Sequence, residues 1–180
     1  VAQNNTQGEL YFNHLFVKDG MPEGQVNSIV QDKQGYMWLA TQKGLARYDG
    51  YSAKVYNFGI ENPYNQDIYI IYLDRLGRLW AGGDGVLFLY DRGRDDFIQY
   101  RSKLSSTDSS SYNIRDIHED KAGHLWLLDY DFVNRKSRLE RFDLATKKFI
   151  PYGKEEKGNH NIHASDFIGL FADENGTIWG

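Results

Sequence analysis

Apolar residues in this chain run in short, strand-length groups bounded by turn residues, and none approaches the ~18 apolar residues of a membrane-spanning helix. Four such groups recur in order. The first strands are predicted at Val26–Gln31, Ile68–Leu73 and Asn113–Glu119, with another copy at Asp166–Ala172. Second strands follow at Tyr36–Thr41, Arg78–Gly82 and His124–Leu128, and third strands at Leu45–Asp49, Val86–Asp91 and Leu139–Asp143. Fourth strands are predicted at Lys54–Asn57, Asp96–Tyr100 and Lys147–Pro151. The run Ile68-Tyr-Ile-Ile-Tyr-Leu73 is apolar on both faces, as expected of a strand covered on both sides.

The four-strand period coincides with a motif, Asp-x-x-Gly-x-x-Trp. It occurs as Asp32, Gly35 and Trp38, then as Asp74, Gly77 and Trp80, as Asp120, Gly123 and Trp126, and as Asp173, Gly176 and Trp179, which accounts for all 4 tryptophans of the chain. Asp can hydrogen-bond the backbone two residues on, and Gly takes positive φ without steric cost, so Asp-x-x-Gly is read as the turn between first and second strands. A Trp repeated at one strand position is read as core between units. Successive tryptophans lie 42, 46 and 53 residues apart (38 to 80, 80 to 126, 126 to 179). A second landmark, Tyr48-Asp49, Tyr90-Asp91 and Phe142-Asp143, follows its Trp by 11, 11 and 17 residues, which places a six-residue insertion around Asp129–Ser137.

Four strands in ~40–50 residues describe a β-propeller blade, with a solenoid of antiparallel hairpins as the structural competitor. The predicted fold is all-β: a propeller of four-stranded antiparallel blades, with about three and a half blades in this chain. Residues 1–9 form a tail and 10–24 a lead-in whose strand-like Leu10–Phe16 has nothing local to pair with and is expected to close the ring as the outer strand of the last blade. Blade 1 spans 25–58, blade 2 59–100, blade 3 101–152, and 153–180 begin blade 4. Because the last repeat stops in its second strand, the remainder of a longer chain is expected to complete the ring. Val1 in place of Met is consistent with removal of an upstream segment.

Composition narrows the chemistry. A net charge of −4 supplies no basic field for nucleic acid or an anionic membrane, and the absence of Cys excludes disulfides, thiol catalysis and thiolate metal sites. With 13 Tyr, 10 Phe and 4 Trp the chain has the rings to fill a core, and such content argues against disorder. His160-Asn-Ile-His163, with Asp166 nearby, has metal-compatible spacing but is read as a solvated loop, so no metal or cofactor is expected. Gly82-Gly-Asp-Gly85 lies between strands rather than at a helix start, which excludes a phosphate cradle. Ser105–Ser111 is read as a flexible connector.

The run Gly24-Gln-Val-Asn-Ser-Ile-Val-Gln-Asp32, with Gly35-Tyr-Met-Trp-Leu-Ala-Thr41 and Gly44-Leu-Ala-Arg-Tyr-Asp-Gly50, resembles the two-component regulator propeller repeat. Phe12-Asn-His-Leu and Asp19-Gly20-Met-Pro resemble the lead-in to that family's first blade. The resemblance implies part of a seven-bladed ring in the periplasmic sensor domain of a Bacteroides-type hybrid two-component histidine kinase. It further implies an oligosaccharide or other small ligand, a homodimeric receptor, and no catalysis by this segment. A protein-interaction scaffold and a propeller carbohydrate-active enzyme are the alternatives. The enzyme would need a buried acidic pair, and no pair is recognisable in the sequence.

If the first strand descends from a top face, that face also holds the blade connectors and the turns between second and third strands, near Lys43, Asp84 and Asp129–Lys136. Sugar binding needs flat aromatic faces beside planar polar groups, so the top-face candidates are Tyr64, Tyr112, Arg115, Tyr130, Asp131, Arg135 and His163. Asn27, Tyr69, Arg115 and Asp166 start the inner strands and are expected at the channel mouth.

Overall fold

The computed structural model describes residues 2–4, 10–12, 14–15, 17–58, 67–102, 112–152 and 168–180. Three complete blades follow one another. In chain order their strands are β3 (Val26–Gln31), β4 (Met37–Thr41), β5 (Gly44–Tyr48) and β6 (Ala53–Tyr56); β7 (Ile68–Leu73), β8 (Leu79–Gly83), β9 (Val86–Asp91) and β10 (Asp96–Arg101); and β11 (Tyr112–Glu119), β12 (Leu125–Asp131), β13 (Lys136–Asp143) and β14 (Lys148–Pro151). Each set is an antiparallel sheet in sequence order. β15 (Phe171–Ala172) and β16 (Ile178–Trp179) pair as the start of a fourth. The described residues contain no α-helix, only a 3-10 turn at Val17–Asp19, so no helix is long and apolar enough to cross a membrane.

The lead-in differs from expectation. Leu10–Phe12 (β2) does have a local partner, pairing antiparallel with Ala2–Asn4 (β1), which lies inside the predicted tail. Of the predicted strand over 10–16, Leu10–Phe12 is a strand while His14 and Leu15 are not, and a 3-10 turn follows at Val17–Asp19.

Why Asp, Gly and Trp recur together is visible in the turns. One Asp32 oxygen accepts the backbone N–H of Gln34 (2.9 Å) and Tyr36 (3.0 Å), and the other accepts the indole N–H of Trp38 (3.0 Å). Asp74 does the same for Leu76, Arg78 and Trp80, and Asp173 for Asn175, Thr177 and Trp179. Asp120 holds His124 and Trp126. Gly closes each turn at positive φ, +89° for Gly35 and Gly123, +75° for Gly77 and +74° for Gly176, where a side chain would be strained. The motif is thus a lock that ties a turn to the ring two positions into the next strand.

For Gly123 and Gly176 the reading as turn formers alone is too narrow. A Cβ at Gly123 would stand 2.6 Å from Nη2 of Arg75 in blade 2, and one at Gly176 would stand 2.5 Å from the Lys121 backbone nitrogen in blade 3. The Gly176 carbonyl also accepts the Lys121 N–H at 3.3 Å. Both glycines are therefore close-approach positions between blades as well as turn residues. Gly35 makes no such approach, with nothing within 4 Å of the place a Cβ would take. The sequence cannot separate the two kinds, because each serves the same turn within its own hairpin.

Two of the tryptophan rings, Trp38 and Trp80, fill the space between blades, whereas Trp179 is exposed. Trp38 meets Tyr56 of its own blade and Tyr90 and Phe97 of the next. Trp80 packs on Tyr100 and on Phe142 of blade 3. Both tryptophans are fully buried. The innermost strands β3, β7 and β11 lie side by side. At the Asp-x-x-Gly end, Arg75 reaches into the turn of blade 3, bonding Glu119 and the Lys121 carbonyl.

The insertion in blade 3 is not a loose loop. It lengthens β12 and β13 into a hairpin with Asp131 opposite Lys136, where blade 1 turns at Thr41 opposite Gly44. At the base of the added pairs Asp129 stands opposite Arg138, in the place that Thr41 and Gly44 hold in blade 1. Asp129 and Glu140 are both buried and both face Arg138, with Oδ2 of Asp129 accepting from Nη2 at 3.0 Å and Ser102 donating to Glu140 at 3.0 Å. A buried acidic pair therefore exists, contrary to the sequence reading. It escapes notice there because the two acids stand on different strands and meet only through the hairpin register.

Burial and the charge of Glu140 push the Asp129 carboxyl up to about 7, against the opposing pull of Arg138. A carboxyl protonated in the fold and ionised in the open chain stabilises the fold fully below about pH 4, and that stability is lost as pH rises through about 7. Protection of β12 and β13 amides in the full-length protein, corrected for intrinsic exchange, is therefore expected to fall as pH rises from 5 to 8. Asp129→Asn should flatten that dependence; an unchanged slope in the variant would assign it elsewhere.

Candidate functional site

The end of the blades opposite the Asp-x-x-Gly turns gathers the starts of the inner strands and the hairpins between second and third strands. Ile68, at the start of β7, pairs with Gly83 at the end of β8, so Tyr69 and the turn residue Asp84 come together. The Tyr69 hydroxyl donates to Asp84 Oδ1 at 3.0 Å and also reaches Asp67 Oδ2 at 3.4 Å. Burial raises the Tyr69 phenol well above its ordinary value, with the charge of Asp84 adding to it. Burial likewise raises the Asp84 carboxyl, helped by Asp67 and opposed by the Tyr69 bond.

Arg115, on β11 of the next blade, lies over this pair. Its guanidinium carbon stands 4.0 Å from the Tyr69 ring centre and 4.4 Å from that of Phe132, at the tip of the inserted hairpin. Tyr130 meets Phe132 edge-on at 4.8 Å. One isolated bridge joins Asp84 to Asn113, and Asn113 is buried with its Oδ1 accepting no hydrogen bond. The result is a guanidinium held against two rings beside two carboxyls and a buried carbonyl oxygen. Rings can pack the faces of a sugar, while Arg, Asp and Asn can exchange hydrogen bonds with its hydroxyls.

Of the residues singled out in the sequence, Tyr69, Arg115 and Tyr130 are brought together here. Asn27 donates instead to the Ile68 carbonyl (2.8 Å), linking the first two inner strands. Asp131 is occupied by its own turn, accepting from Val133 and Asn134, and the Asn134 side chain holds its carboxyl below the usual range. Arg135 is exposed on that turn at φ +52°. Tyr112 lies under Arg138 (4.0 Å), beside the buried acids rather than the mouth cluster. Tyr64, His163, His160 and Asp166 lie outside the described residues, as does Ser105–Ser111. Among the described residues no group of His and acidic side chains could hold a metal ion.

Asp84, Asp67, Asn113 and Phe132 join the site without having been singled out. Asp84 had one legible signal, a carboxylate between Gly83 and Gly85 in a top-face turn. Phe132 had none, because a ring inside an insertion has no repeat partner to compare with.

Comparison with known proteins bears on what such a face belongs to. Residues 20–43 match the family model of the two component regulator propeller. That segment holds the 3-10 exit, β3, the first Asp-x-x-Gly turn and β4. The extracellular domain of a B. thetaiotaomicron protein described as a one component system superposes with a TM-score of 0.70 at 17% identity, over 97% of this chain and 22% of its own. The extracellular domain of a B. thetaiotaomicron protein described as a hybrid two component system gives 0.55 at 19% identity, over 93% of this chain and 28% of its own. A protein described as a gluconolactonase gives 0.59 at 14% identity, over 96% of this chain and 60% of its own. At these identities the likeness is one of fold, and this chain spans about a quarter of the length of either ectodomain. No curated protein sequence matches the chain.

Proposed function

We propose that this chain is part of the extracytoplasmic, ligand-sensing propeller of a hybrid two-component receptor, that it recognises an oligosaccharide on the face carrying Tyr69, Arg115 and Tyr130, and that it controls a cytoplasmic histidine kinase. The observation that carries this reading is the match of residues 20–43 to the two component regulator propeller model; the shared fold with two sensor ectodomains supports it. In this reading the rest of the polypeptide completes the ring, the receptor sits in the inner membrane with this segment in the periplasm, and the segment itself performs no catalysis. Signalling follows from population shift. A ligand biases the kinase only as far as it binds one geometry of a dimeric receptor better than the other.

The test uses the full-length receptor in membranes, with oligosaccharide fractions as probes and autophosphorylation as readout. A saccharide that binds and changes phosphorylation is the expected result, and the pair Tyr130→Ala and Arg135→Ala should weaken binding with the fold intact. Unchanged affinity in a calorimetric titration would remove that rim from the site. A second reading has one observation in its favour: Phe132 and Val133 stand exposed at the hairpin tip (52% and 79%), which suits a protein partner. That scaffold would bind a protein and no sugar.

A further inference from the structure

Each complete blade carries a β-bulge at one position of its innermost strand. The register with the second strand slips between Val26 and Ser28, between Ile68 and Ile70, and between Ile114 and Asp116. The extra residues are therefore Asn27, Tyr69 and Arg115. All three stand eleven residues before the blade's tryptophan (27 to 38, 69 to 80, 115 to 126), and Ile168 holds that place before Trp179, fully exposed. A bulge gives up ladder pairing and re-aims one side chain, and its recurrence in register argues for a use.

In blades 2 and 3 the apolar positions around it are buried, whereas Val26 and Ile29 of blade 1 are exposed. The preceding residue is Val26, Ile68 or Ile114, and the second residue after it is Ile29, Ile71, Ile117 or Leu170. The residue directly after it clasps the next blade in two cases: Ser28 Oγ accepts the Ile71 N–H at 3.2 Å and Asp116 the Leu170 N–H at 2.8 Å. The bulge position instead changes chemical class from blade to blade, through amide, phenol, guanidinium and alkyl.

We infer that the bulge residues Tyr69 and Arg115 are ligand-reading positions of this face, and that they read the hydroxyls of a neutral sugar rather than a carboxylate-bearing one. The inference rests on the sensor reading above and adds the chemistry of the ligand. Arg115 stacks on its neighbours through the guanidinium face, and its charge acts on the Asp84 carboxyl beside it. Its N–H donors at the ring edge are the groups a ligand on this face would meet. A hydroxyl both accepts and donates, and so suits the Arg115 donors and the Asp67 and Asp84 acceptors together. A carboxylate only accepts, and it enters beside Asp67 and Asp84, whose charge outweighs that of one Arg.

The experiment titrates the full-length receptor with two probe sets, a library of neutral oligosaccharides (malto-, galacto-, manno- and xylo-series) and oligogalacturonides. Binding within the neutral set is expected, weakened about tenfold by Arg115→Gln and severalfold by Tyr69→Phe, with Lys148→Gln on an outer strand unchanged. Amide exchange over β11 checks that Arg115→Gln leaves the blade folded, and Arg115→Lys, which keeps charge without the planar fork, should weaken binding as well. Neutral binding untouched by these variants, or binding of oligogalacturonides alone, overturns this inference and leaves the sensor reading standing. Failure of both sets to bind the wild-type receptor overturns the two together.

Discussion

Trp80→Ala is expected to destabilise blade 2 by about 4 kcal/mol, the largest loss foreseen for any single change here. The ring is fully buried, with Tyr100 on one side and Phe142 of blade 3 on another. Truncation removes its transfer free energy and leaves a cavity at the seam between two sheets, where each sheet is already held by its own ladder and cannot collapse into the gap. The loss should therefore appear in both blades. Hydrogen exchange on the full-length protein is expected to accelerate in β8, β9, β12 and β13 while β4 and β5 stay protected. Faster exchange confined to blade 2 would contradict the placement of this ring between blades. Trp80→Phe fills most of the space and loses the indole N–H, so its cost should be about half.

Asp74→Ala follows at about 3–4 kcal/mol, for a polar reason. The Asp74 carboxylate is buried and accepts the N–H groups of Leu76 (3.0 Å) and Arg78 (2.8 Å), the indole N–H of Trp80 (2.9 Å) and the Arg78 side chain. Alanine satisfies none of them and strands the indole donor inside the core. Asp74→Asn retains an oxygen for the backbone but turns an N–H₂ toward a donor, and should cost less than Ala without restoring wild type. The decisive comparison is a cycle with Trp80→Phe: once the indole N–H is gone, Asp74→Ala should cost about 1 kcal/mol less than in wild type. Strict additivity would mean that the lock between Asp74 and Trp80 contributes no energy of its own.

How far these features were legible follows from their range in sequence. The turn Asp, its Gly and the Trp six residues on lie within one hairpin, where the backbone has few ways to connect two antiparallel strands. Their fourfold recurrence made strand order, blade period and core rings readable from the chain alone. What Gly123 and Gly176 do beyond their own turns was not readable, since Arg75 and Lys121 come to them from neighbouring blades. The strand ends shift only slightly, β13 beginning at Lys136 rather than Leu139 because the insertion continues the ladder.

The site behaved otherwise. Tyr69, Arg115 and Tyr130 were suspected for being planar groups near one face, a property shared by Tyr112, which stacks on Arg138 instead. What separates them is the path of the inserted hairpin, which carries Phe132 back over Arg115 of its own blade while Arg115 crosses to Tyr69 of the blade before. The pair Asp129 and Glu140 likewise became a pair through strand register, 11 positions apart in sequence (129 to 140) and joined through one arginine.

By itself, then, the sequence determined what depends on contacts within a hairpin: the locks, the four-strand period and the rings between blades. Only the tertiary structure decided which bulge residue meets which hairpin tip, which turn glycine a neighbouring blade abuts, and which acids share a cation. Those outcomes depend on the packing of neighbouring sheets, and a side chain shows no sign along the chain of the neighbour that the adjacent blade will bring to it.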